Sequence, residues 1–384
     1  MKKRAIVLGC GLVGATMARE LAADSEFEVA AADFAQNNLD KLRDCPGIRT
    51  IRVDLSDPGR VKEVLGGQDV VLGALPSRIG LQTLEAVIHS GKCYCDISFM
   101  SEDAMQLDSL AKKHGATAVV DCGVSPGLSN MMVGHAVAQL DRAVRADIYV
   151  GGLPKVRRWP YQYKAPFAPS DVIEEYIRPA RIVENGKIVV KPALSDPELM
   201  DFPQVGTLEA FNTDGLRTLL ETVRVANMRE KTLRYPGHIE LMRVLRETGY
   251  FDQDEIEVKG VKVRPRDVTA KLLFPQWTYD QGEEEFTVLR VVVEGAKGGK
   301  PMRLTYDLYD EYDRASGTSS MARTTGFPCV IVARMLALGR FTERGVYAPE
   351  TLAQRDGLFD LIVSELDCRG VKVRLNVQEV AMSG

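Results

Sequence analysis

The sequence predicts an α/β protein that begins with a doubly wound parallel sheet and continues into a second, α+β domain. Residues 4–124 alternate short apolar runs with helical patterns, and strand follows strand at spacings of about 20–25 residues. These runs are rich in Val, Ile and Ala and alternate little with polar residues, which is typical of strands covered on both faces. After residue 124 the pattern changes to alternating strands joined by hairpin turns.

The elements of the first region can be placed one by one. The predicted strands are Ala5–Leu8, Phe27–Ala32, Ile48–Val53, Val70–Gly73, Cys93–Ile97 and Thr117–Val120. The predicted helices are Leu12–Ala22, Pro58–Leu65, Ile79–Ser90 and Ser101–His114. Because helical segments separate most of these strands, the connections are expected to be crossovers and the strands parallel.

The second region carries other signals. Its predicted features are a helix over Leu128–Leu140, a strand over Ala143–Gly151, a hairpin at Asn185-Gly186, a helix near His238–Thr248 and a hairpin turning at Gly295–Lys300. The apolar helical stretch Phe327–Leu338 is expected to pack back against the first domain. The predicted domains are therefore residues 1–124 together with about 325–384, and an inserted α+β substrate domain over residues 125–324.

Composition excludes several classes of protein. The chain has 384 residues, 45% of them hydrophobic, which is enough for two domains with buried cores. Its 49 Lys and Arg against 53 Asp and Glu give a net charge of −4 without a basic block, so no nucleic-acid partner is expected. No apolar run approaches the roughly 18 residues of a transmembrane helix, so no membrane partner is expected either.

Cysteine usage and the N-terminus predict a cytoplasmic protein. The seven Cys are an odd number and scattered, unlike a disulfide framework. Cys93 and Cys95 share one face of a predicted strand, with no His at metal-ligand spacing, so we expect buried thiols and no metal site. Residues 1–18 have the charge and apolar run of a secretory signal, but three glycines interrupt that run. Arg19-Glu20 also stand where small residues should precede a cleavage site.

A glycine-rich loop connects the first predicted strand to the first helix. Its G-x-G-x-x-G pattern comprises Gly9, Cys10, Gly11, Leu12, Val13 and Gly14. The backbone amides and helix N-terminus of such a loop can hold a pyrophosphate. Asp33 ends the second strand 19 residues after Gly14, where a carboxylate can bind the ribose hydroxyls. The glycine loop and Asp33 together predict dinucleotide binding. A methyltransferase is disfavoured, because its loop would usually have glycine at position 13, where this chain has Val.

The predicted dinucleotide is NAD. A carboxylate at Asp33 repels a 2′-phosphate, and residues 34–38 contain no Arg or Lys to bind one. The ends of the next two strands are expected to line the rest of the coenzyme. The candidate residues there are Asp54 and Leu55 beside the adenine, and Ala74, Leu75 and Pro76 beside the nicotinamide ribose.

Three polar clusters are expected in the crevice outside the carboxyl ends of the strands, where small molecules bind in this architecture. They are Asp96-Ile97-Ser98, Arg229–His238 and Met321–Gly326. Of the four His residues, His238 is the candidate for chemistry because it follows Gly237 at a predicted helix start. Arg234 and Arg323 could each bind a carboxylate through a bidentate fork, or could instead form salt bridges.

These motifs resemble the saccharopine dehydrogenase-like family. The glycine loop, the pattern D-x-G-x-x-P-G-x-x-N at Asp121–Asn130, Arg229–His238 and Met321–Gly326 occur in the order found there. The resemblance extends past Val346–Glu350 and is greatest to the NAD-dependent lysine 6-dehydrogenases. It implies a Rossmann-type nucleotide-binding domain, an inserted substrate domain and hydride transfer at a carbon that bears nitrogen.

The resemblance also implies a class of substrate. Saccharopine reductases of the family carry an Asn-Arg pair after a Phe, and that Arg helps to bind a second carboxylate arm. Here Phe211-Asn212-Thr213-Asp214 has Thr at the position of the Arg. The expected substrate is therefore L-lysine or a similar diamino acid, whose ε-carbon is oxidised to a semialdehyde with release of ammonia.

Candidate roles follow from the resemblance and from side-chain chemistry. Asp96 or His238 is the expected base that takes a proton from the substrate ε-ammonium. The expected substrate-binding residues are Arg234 or Arg323 for the α-carboxylate, Asp214 or Glu230 for the α-ammonium, and Asn212, Thr213, Tyr235, Thr324 and Thr325.

Two alternatives stay open. A saccharopine dehydrogenase or a carboxynorspermidine-type imine reductase of the same family would work with a second co-substrate. A non-catalytic NAD-binding module would bind NAD without turning over amines. In either case fold analogy suggests a homo-oligomer joined through the edges of the second sheet.

Overall fold

The computed structural model describes residues 2–167 and 169–380, which form two compact units. The first unit comprises the chain up to His135 together with Ala322–Val371, and the second comprises Ala136–Met321 together with the chain from Lys372 onward. The predicted return segment at about 325–384 therefore differs from the structure, because its last strand belongs to the second unit. Met1 and residues 381–384, which the predicted first domain includes, lie outside the described residues.

The helices and strands are numbered along the chain. Up to residue 119 they are β1 (Lys3–Leu8), α1 (Leu12–Ala22), β2 (Phe27–Asp33), α2 (Gln36–Asp40), β3 (Ile48–Arg52), α3 (Pro58–Val64), β4 (Val70–Gly73), α4 (Ser77–His89), β5 (Cys93–Asp96), a 3₁₀ turn (Ala104–Leu107), α5 (Asp108–His114) and β6 (Thr117–Val119). The middle of the chain forms α6 (Leu128–Gln139), β7 (Arg142–Pro154), α7 (Pro169–Ile177), β8 (Ala180–Glu184), β9 (Lys187–Lys191), β10 (Glu198–Phe202), β11 (Gly206–Thr213), α8 (Leu219–Thr222), β12 (Asn227–Arg234), α9 (His238–Glu247), β13 (Ile256–Val258) and β14 (Val261–Val263). The remainder forms α10 (Pro265–Trp277), β15 (Glu285–Lys297), β16 (Lys300–Glu311), α11 (Ser320–Ala337), β17 (Gly345–Tyr347), α12 (Pro349–Ala353), α13 (Leu358–Cys368) and β18 (Val373–Glu379).

The first unit is built on a seven-stranded parallel sheet in the order β3-β2-β1-β4-β5-β6-β17. This confirms the predicted doubly wound fold. The strand order reverses between β1 and β4, and in doubly wound sheets the carboxyl ends of the strands at such a switch point are where ligands bind. The sequence pattern does not predict β17, because three residues are too few to establish a periodicity.

Both faces of the central strands of this sheet are buried, as their apolar runs predict, whereas no residue of the edge strand β3 is buried. Ile6 and Tyr94 are fully buried in one core cluster with the surrounding helices. Helix α11 also packs here, since a Cβ on Gly326 would stand 3.1 Å from the side chain of Met17 in α1. The returning apolar stretch therefore belongs to the first unit, as predicted.

The second unit is built on a nine-stranded mixed sheet in the order β10-β11-β12-β7-β15-β16-β18, with the β8–β9 hairpin attached to β12. Its β12–β7 pair is parallel and its other pairs are antiparallel. The β8–β9 hairpin turns at Asn185-Gly186, whose φ angles of 51° and 76° fit the predicted two-residue turn. The later hairpin turns at Gly298-Gly299 alone, because β15 and β16 extend into the predicted turn Gly295–Lys300.

The core of the second unit is aromatic. Helices α7, α9 and α10 contribute buried residues to it, and Trp277 is fully buried. The Trp277 ring lies 5.5 Å from the Tyr163 ring, 6.3 Å from Tyr176 and 6.5 Å from His238, measured between centroids.

Within residues 2–167 and 169–380, no helix has the length and apolar character needed to cross a bilayer.

Candidate active site

The glycine-rich loop joins β1 to α1 at the switch point. Gly9 has a φ of 90°, and a Cβ there would stand 2.3 Å from the carbonyl oxygen of Ala74. A Cβ on Gly14 would stand 1.9 Å from the Gly9 carbonyl oxygen, so close backbone packing requires glycine at both positions. A Cβ on Gly11 would meet nothing within 4 Å. The open space at Gly11 and the N-terminus of α1 fit the phosphates of a dinucleotide.

Asp33, at the end of β2, is tied to this loop. Its Oδ2 accepts hydrogen bonds from the backbone N–H of Cys10 at 2.7 Å and from Nδ2 of Asn38 at 3.2 Å. Its Oδ1 accepts one from the backbone N–H of Ala35 at 2.8 Å. A carboxylate can accept about four hydrogen bonds, two on each oxygen, and Oδ1 accepts only one from these residues. Oδ1 can therefore accept a second hydrogen bond, from a ribose hydroxyl. Asp33 therefore both fixes the loop and is suited to bind the coenzyme.

A basic side chain also lies at this edge, where the local sequence does not reveal it. Arg52 is the in-register neighbour of Asp33 across the β2–β3 pair. Its Nε donates a hydrogen bond to the carbonyl of Phe34 at 3.3 Å. Residues 34–38 carry no cation, but strand pairing brings a guanidinium from residue 52. This is the chemistry that binds a 2′-phosphate.

Asp54 and Leu55, the predicted adenine neighbours, have different surroundings. Asp54 Oδ1 accepts hydrogen bonds from the Ser56 hydroxyl at 2.7 Å and from the Ser56 N–H at 2.9 Å. These bonds hold the pKa of Asp54 below its usual value. Leu55 is buried in the core of the first unit, so its side chain packs inside the protein. Of the two side chains, only that of Asp54 is therefore in a position to contact a ligand.

Ala74, Leu75 and Pro76 follow β4 and run beside the glycine loop. The N–H of Ala74 donates to the carbonyl of Leu8, the last residue of β1, at 2.8 Å. The N–H of Leu75 donates to the hydroxyl of Ser98 at 3.3 Å. This second bond links the predicted coenzyme segment to the Asp96-Ile97-Ser98 cluster.

Asp96, at the end of β5, is a fully buried carboxyl at the same edge of the sheet. Its Oδ1 accepts hydrogen bonds from the Ser98 N–H at 3.0 Å and the Ser98 hydroxyl at 2.8 Å. Its Oδ2 has no hydrogen-bond partner among the described residues. Burial raises the pKa of Asp96 to about 7, against the lowering effect of Ser98, and the negative charge of Asp121 adds to the rise. Such a carboxyl can exchange a proton near neutral pH.

A glycine makes room for this carboxyl. Gly73 ends β4 beside Asp96, and a Cβ there would stand 2.4 Å from Asp96 Oδ1 and 2.1 Å from the hydroxyl of Tyr94. Tyr94 and Asp96 are two residues apart on β5 and so share one face of the strand. The sequence analysis did not single out Tyr94 or Gly73, although strand alternation places Tyr94 on the face of Asp96.

The turn after β6 lies against Asp96. The N–H of Cys122 donates to the carbonyl of Asp96 at 2.7 Å. Asp121 has a φ of 50°, and a Cβ on Gly127 would stand 2.1 Å from the Gly123 carbonyl oxygen, so the turn is closely folded. Asp121 is a second buried carboxyl beside Asp96. Sequence reasoning found its motif but gave it no role.

Arg323, Thr324 and Thr325 lie near the start of α11, in the first unit. A Cβ on Gly123 would stand 3.2 Å from Thr325 Cγ2, so Thr325 packs on the turn after β6. Thr324 is fully buried. Arg323 is half-buried, and its Nη2 donates to the carbonyl of Arg369 at 3.2 Å.

Asn212 and Asp214 lie at the end of β11 in the second unit. Nδ2 of Asn212 donates to Asp196 Oδ2 at 2.9 Å and to the hydroxyl of Ser195 at 3.1 Å. Asp214 accepts a bidentate pair from Arg181, each bond 2.9 Å long, and a third bond from the Arg181 N–H. The predicted ammonium ligand Asp214 therefore already has a cationic partner.

Thr213 binds the other predicted ammonium ligand, Glu230. Its hydroxyl lies 2.5 Å from Glu230 Oε2 and 2.8 Å from the hydroxyl of Thr232. Burial raises the pKa of Glu230 to about 8, against the lowering effect of the Thr213 hydrogen bond. Glu230 therefore holds its proton at neutral pH, which does not support it as an ionic partner for an ammonium group there.

Arg234 is buried and its donors are used within the second unit. Its Nη2 donates to Glu175 Oε2 at 2.6 Å and to the hydroxyl of Tyr163 at 3.3 Å. Its Nε donates to the hydroxyl of Tyr176 at 3.2 Å, and its Nη1 to the carbonyl of Leu233 at 3.0 Å. This environment does not support the predicted role of Arg234 as an anchor for a substrate carboxylate.

His238 belongs to the same buried network. Its Nδ1 lies 2.9 Å from the carbonyl of Tyr161 and its Nε2 lies 2.9 Å from the hydroxyl of Tyr176. Because a carbonyl only accepts, Nδ1 carries the proton and Nε2 accepts from Tyr176. Burial lowers the pKa of His238 to about 3, and the positive charge of Arg234 adds to the fall. The structure therefore does not support His238 as a base near neutral pH.

Tyr235, the remaining predicted substrate residue, is also occupied. Its hydroxyl donates to the carbonyl of Pro154 at 2.9 Å, and the guanidinium of Arg157 lies 4.6 Å above its ring.

In the described part of the chain, no group of three or more His, Cys, Asp or Glu side chains is arranged to hold a metal ion. Asp96 and Asp121, the buried carboxyls at the carboxyl edge of the parallel sheet, both lie in the first unit.

Comparison with known families shows to which family the chain belongs. Residues 123–371 match the saccharopine dehydrogenase C-terminal domain, and residues 5–119 match the saccharopine dehydrogenase NADP binding domain. The chain belongs to the saccharopine dehydrogenase family. It is thus an oxidoreductase of this family with a pyridine-nucleotide-binding domain, as the glycine loop and Asp33 predict.

Three relatives match over nearly their whole length. The saccharopine dehydrogenase [NADP(+), L-glutamate-forming] of Schizosaccharomyces pombe is 22% identical, over 94% of this chain and 96% of that protein. The carboxyaminopropylagmatine dehydrogenase of Synechocystis sp. is 21% identical, over 91% of this chain and 92% of that protein. The solved structure of saccharopine dehydrogenase (L-Glu forming) from Saccharomyces cerevisiae superposes with a TM-score of 0.82 at 20% identity, over 98% of this chain and all of that one. The fold is therefore shared with that enzyme.

Proposed function

We propose that this protein is an NAD-dependent dehydrogenase that oxidises the ε-carbon–nitrogen bond of L-lysine. The observation that carries the proposal is Asp96, a buried carboxyl whose Oδ2 has no partner among the described residues. Ser98 and Leu75 link it to the dinucleotide loop. Its pKa of about 7 suits the removal of a proton from an ammonium group near neutral pH.

The reaction takes two electrons from the substrate. The ε-ammonium loses a proton to Asp96, and the Cε–H bond then breaks with its electron pair to leave a protonated imine. Bound NAD supplies the acceptor for this hydride. Water adds to the imine carbon, the C–N bond breaks, and ammonium and the semialdehyde are released. The semialdehyde can then cyclise onto the α-amine.

The residues of the first unit fit the coenzyme. Gly11 leaves space at the N-terminus of α1 for the pyrophosphate, and Asp33 Oδ1 keeps an acceptor for a ribose hydroxyl. The carboxylate of Asp33 also disfavours the extra phosphate of NADP by charge repulsion. These features support NAD.

The polar residues of the second unit support a substrate without a second carboxylate arm. Thr213 occupies the position where saccharopine reductases carry Arg, and its hydroxyl is bound to Glu230. The nearby cations are committed, because Arg181 pairs with Asp214 and Arg234 with Glu175. For the α-carboxylate we retain the predicted Arg323, which is half-buried at the start of α11 and already donates to the carbonyl of Arg369, with Thr324 and Thr325 beside it.

One alternative also has support. The relatives named above include one saccharopine dehydrogenase named for NADP(+), and Arg52 places a cation beside the ribose end of the site. An enzyme of that kind would use NADP and would convert saccharopine, or would reduce an imine formed from an amine and a carbonyl compound.

Reduction of the coenzyme, followed at 340 nm, tests the proposal. Purified protein is given L-lysine or saccharopine, each with NAD or NADP. We expect turnover with L-lysine and NAD, and release of one ammonia per NADH. Turnover with saccharopine but none with L-lysine would overturn the proposed substrate, and a preference for NADP would overturn the proposed coenzyme.

A further inference from the structure

The side chain of Tyr94 ends beside the carboxyl of Asp96, inside the first unit. The two residues lie two positions apart on β5, so they share one face of the strand, and both are fully buried. A Cβ on Gly73 would stand 2.1 Å from Tyr94 Oη and 2.4 Å from Asp96 Oδ1. Because one point lies this close to both oxygens, the hydroxyl and the carboxyl are immediate neighbours.

Each of these two groups has an atom that forms no hydrogen bond. Neither Tyr94 Oη nor Asp96 Oδ2 has a hydrogen-bond partner within residues 2–167 and 169–380. Ser98 does not serve Oδ2, since both of its hydrogen bonds go to Oδ1. Buried polar atoms are nearly always satisfied in folded proteins, because leaving one without a partner costs free energy. The hydroxyl of Tyr94 and the carboxyl of Asp96 are therefore suited to bond to each other.

The phenol is the donor of this pair. Burial raises the pKa of Tyr94 far above neutrality, and the negative charge of Asp96 adds to the rise, so the hydroxyl keeps its proton. An ionised carboxylate only accepts hydrogen bonds, and each of its oxygens has two acceptor positions. Oδ2 can thus accept a hydrogen bond from Tyr94 and still take a proton from a substrate ammonium group.

We propose that Tyr94 is a positioning residue that donates a hydrogen bond to Asp96 and thereby keeps this carboxyl partly ionised at neutral pH. A hydrogen bond to a charged oxygen is stronger than one to a neutral oxygen, so the phenol stabilises the carboxylate more than the carboxylic acid. Without this bond, burial would leave Asp96 mostly protonated at neutral pH and unable to accept a further proton. The inference rests on the proposed function in so far as Asp96 is the base there.

Other polar groups also act on this carboxyl. Burial raises the pKa of Asp96, and the negative charge of Asp121, on the turn after β6, adds to the rise. The hydrogen bonds of Ser98 and the nearby hydroxyl of Tyr94 lower it. Ser98 acts on Oδ1 alone, so Tyr94 is the donor placed to stabilise a charge on Oδ2.

Three buried thiols also interact with the pair, from β5, the turn after β6 and α11. They belong to Cys95, Cys122 and Cys329. Burial raises the pKa of Cys95 and Cys329, and a hydrogen bond with Cys95 together with burial raises that of Cys122. All three thiols therefore stay neutral at neutral pH and add no charge beside Asp96.

Infrared absorption of the protonated carboxyl tests the hydrogen bond without coenzyme or substrate. The band that Asp96→Asn removes belongs to Asp96, and its loss with rising pH gives the pKa of that group. We expect a midpoint near pH 7 in the unmodified protein. In Tyr94→Phe the midpoint should lie about one to two pH units higher, which is the equivalent of one hydrogen bond to a charged group.

Tyr347→Phe is the matched control. Tyr347 lies on β17 of the same sheet, and its hydroxyl lies 3.2 Å from the carbonyl oxygen of Arg344 and 3.4 Å from Glu343 Oε2. This variant loses a hydroxyl that serves another part of the sheet, so the midpoint of Asp96 should not move. An unchanged midpoint in Tyr94→Phe would overturn the inference.

The pH profile of turnover shows what the bond does in the reaction. At pH 6 the kcat/KM of Tyr94→Phe should be about 10–100-fold below that of the unmodified protein, whereas at pH 9.5 the two should agree within about twofold. An equal loss at both pH values would contradict the inference, because it would show that Tyr94 only supports the fold. A shifted infrared midpoint without any turnover of L-lysine would refute the proposed function and leave the hydrogen bond established.

A change in the opposite direction keeps the test valid if Tyr94→Phe folds poorly. Replacing the 12 tyrosines by 3-fluorotyrosine leaves every hydroxyl in place and makes each a stronger donor. The midpoint of Asp96 should then fall below that of the unmodified protein. A midpoint that does not fall would overturn the inference, as would an equal fall when Tyr94→Phe is labelled in the same way.

Discussion

Two buried ionisable residues, one in each unit of this protein, have opposite surroundings. In the first unit, Asp96 ends a parallel strand with one carboxyl oxygen that has no partner among the described residues. In the second unit, Arg234 uses its donors on Glu175, two tyrosines and a backbone carbonyl. A buried ionisable group without a partner keeps a capacity for ligand or proton, whereas a group whose bonds are satisfied fixes the fold.

The largest effect that this contrast predicts is the loss of activity in Asp96→Asn. The amide keeps the shape of the side chain but cannot take a proton, so kcat should fall by about 10²–10⁴-fold. The thermal midpoint should change little, because Asn can still accept the Ser98 hydrogen bonds through its carbonyl oxygen. Steady-state kinetics and a melting curve on the same sample measure both. Glu85→Gln, on the exposed face of α4, is the control and should keep full activity.

The pH profile distinguishes a base from a residue that only holds the site together. Since the base form of Asp96 increases through its pKa of about 7, kcat/KM should rise about tenfold per pH unit below 7 and level off above it. The residual activity of Asp96→Asn should lack this slope. An unchanged slope in the variant would assign the proton transfer to another group.

The second prediction concerns the contribution of Arg234, in the second unit, to the stability of the fold. Arg234→Met leaves Glu175 in its half-buried position without its cation, and should lower the free energy of unfolding by about 3–5 kcal/mol. Urea denaturation measures this loss. Arg243→Met removes an exposed partner of Glu240 and should cost less than about 1 kcal/mol. Equal losses in the two variants would show that the Arg234 network does not stabilise the fold.

The same contrast explains which features the sequence could predict. Strands β1–β6 follow from local apolar runs, and Asp33 and Asp96 follow because the carboxyl ends of parallel strands meet at one edge. The surroundings of Arg234 and His238 could not be predicted, because their partners Glu175 and Tyr176 lie on α7, 59 and 62 residues away, and no local pattern shows that pairing. Arg52 was missed for the same reason, since only the β2–β3 register brings it beside Asp33.

The strand β18 shows most clearly what local sequence patterns cannot predict. Its alternation of Val and Leu with polar residues is a strand signal, but nothing local tells which sheet it joins. It follows helices of the first unit in sequence and yet pairs with β16 of the second. The predicted boundary therefore placed these residues in the first domain, whereas they pair in the sheet of the second unit. Non-local pairing is decided by the packing of the whole chain and lies outside the reach of sequence patterns.

The third prediction asks whether Arg52 serves the coenzyme. If its guanidinium binds a 2′-phosphate, Arg52→Ala should lower kcat/KM for NADP by about 10–100-fold, the effect of losing one charged hydrogen bond, and leave kcat/KM for NAD within twofold. Arg49→Ala, on the same strand and also exposed, is the control. Equal losses with the two coenzymes would mean that Arg52 acts only through the Phe34 carbonyl, as a support for the loop.

The smallest predicted effect tests the structural role of His238. Burial holds its pKa near 3 in the folded protein, whereas an unfolded chain has the ordinary value of about 6.5. Between these values the unfolded chain binds a proton that the folded protein does not. His238 therefore makes the protein lose stability as the pH falls through this window, by about 1.4 kcal/mol per pH unit.

His238→Gln removes that contribution. The free energy of unfolding of the variant should accordingly fall less steeply than that of the unmodified protein between pH 6 and pH 4, as measured by urea denaturation at each pH. Its kcat and the pH at which kcat/KM levels off should stay unchanged, because Asp96, the proposed proton acceptor, lies in the first unit. A different result would assign the base to His238 instead of Asp96. In that case the pH at which kcat/KM levels off would shift in His238→Gln, while the free energy of unfolding would depend on pH equally in the variant and the unmodified protein.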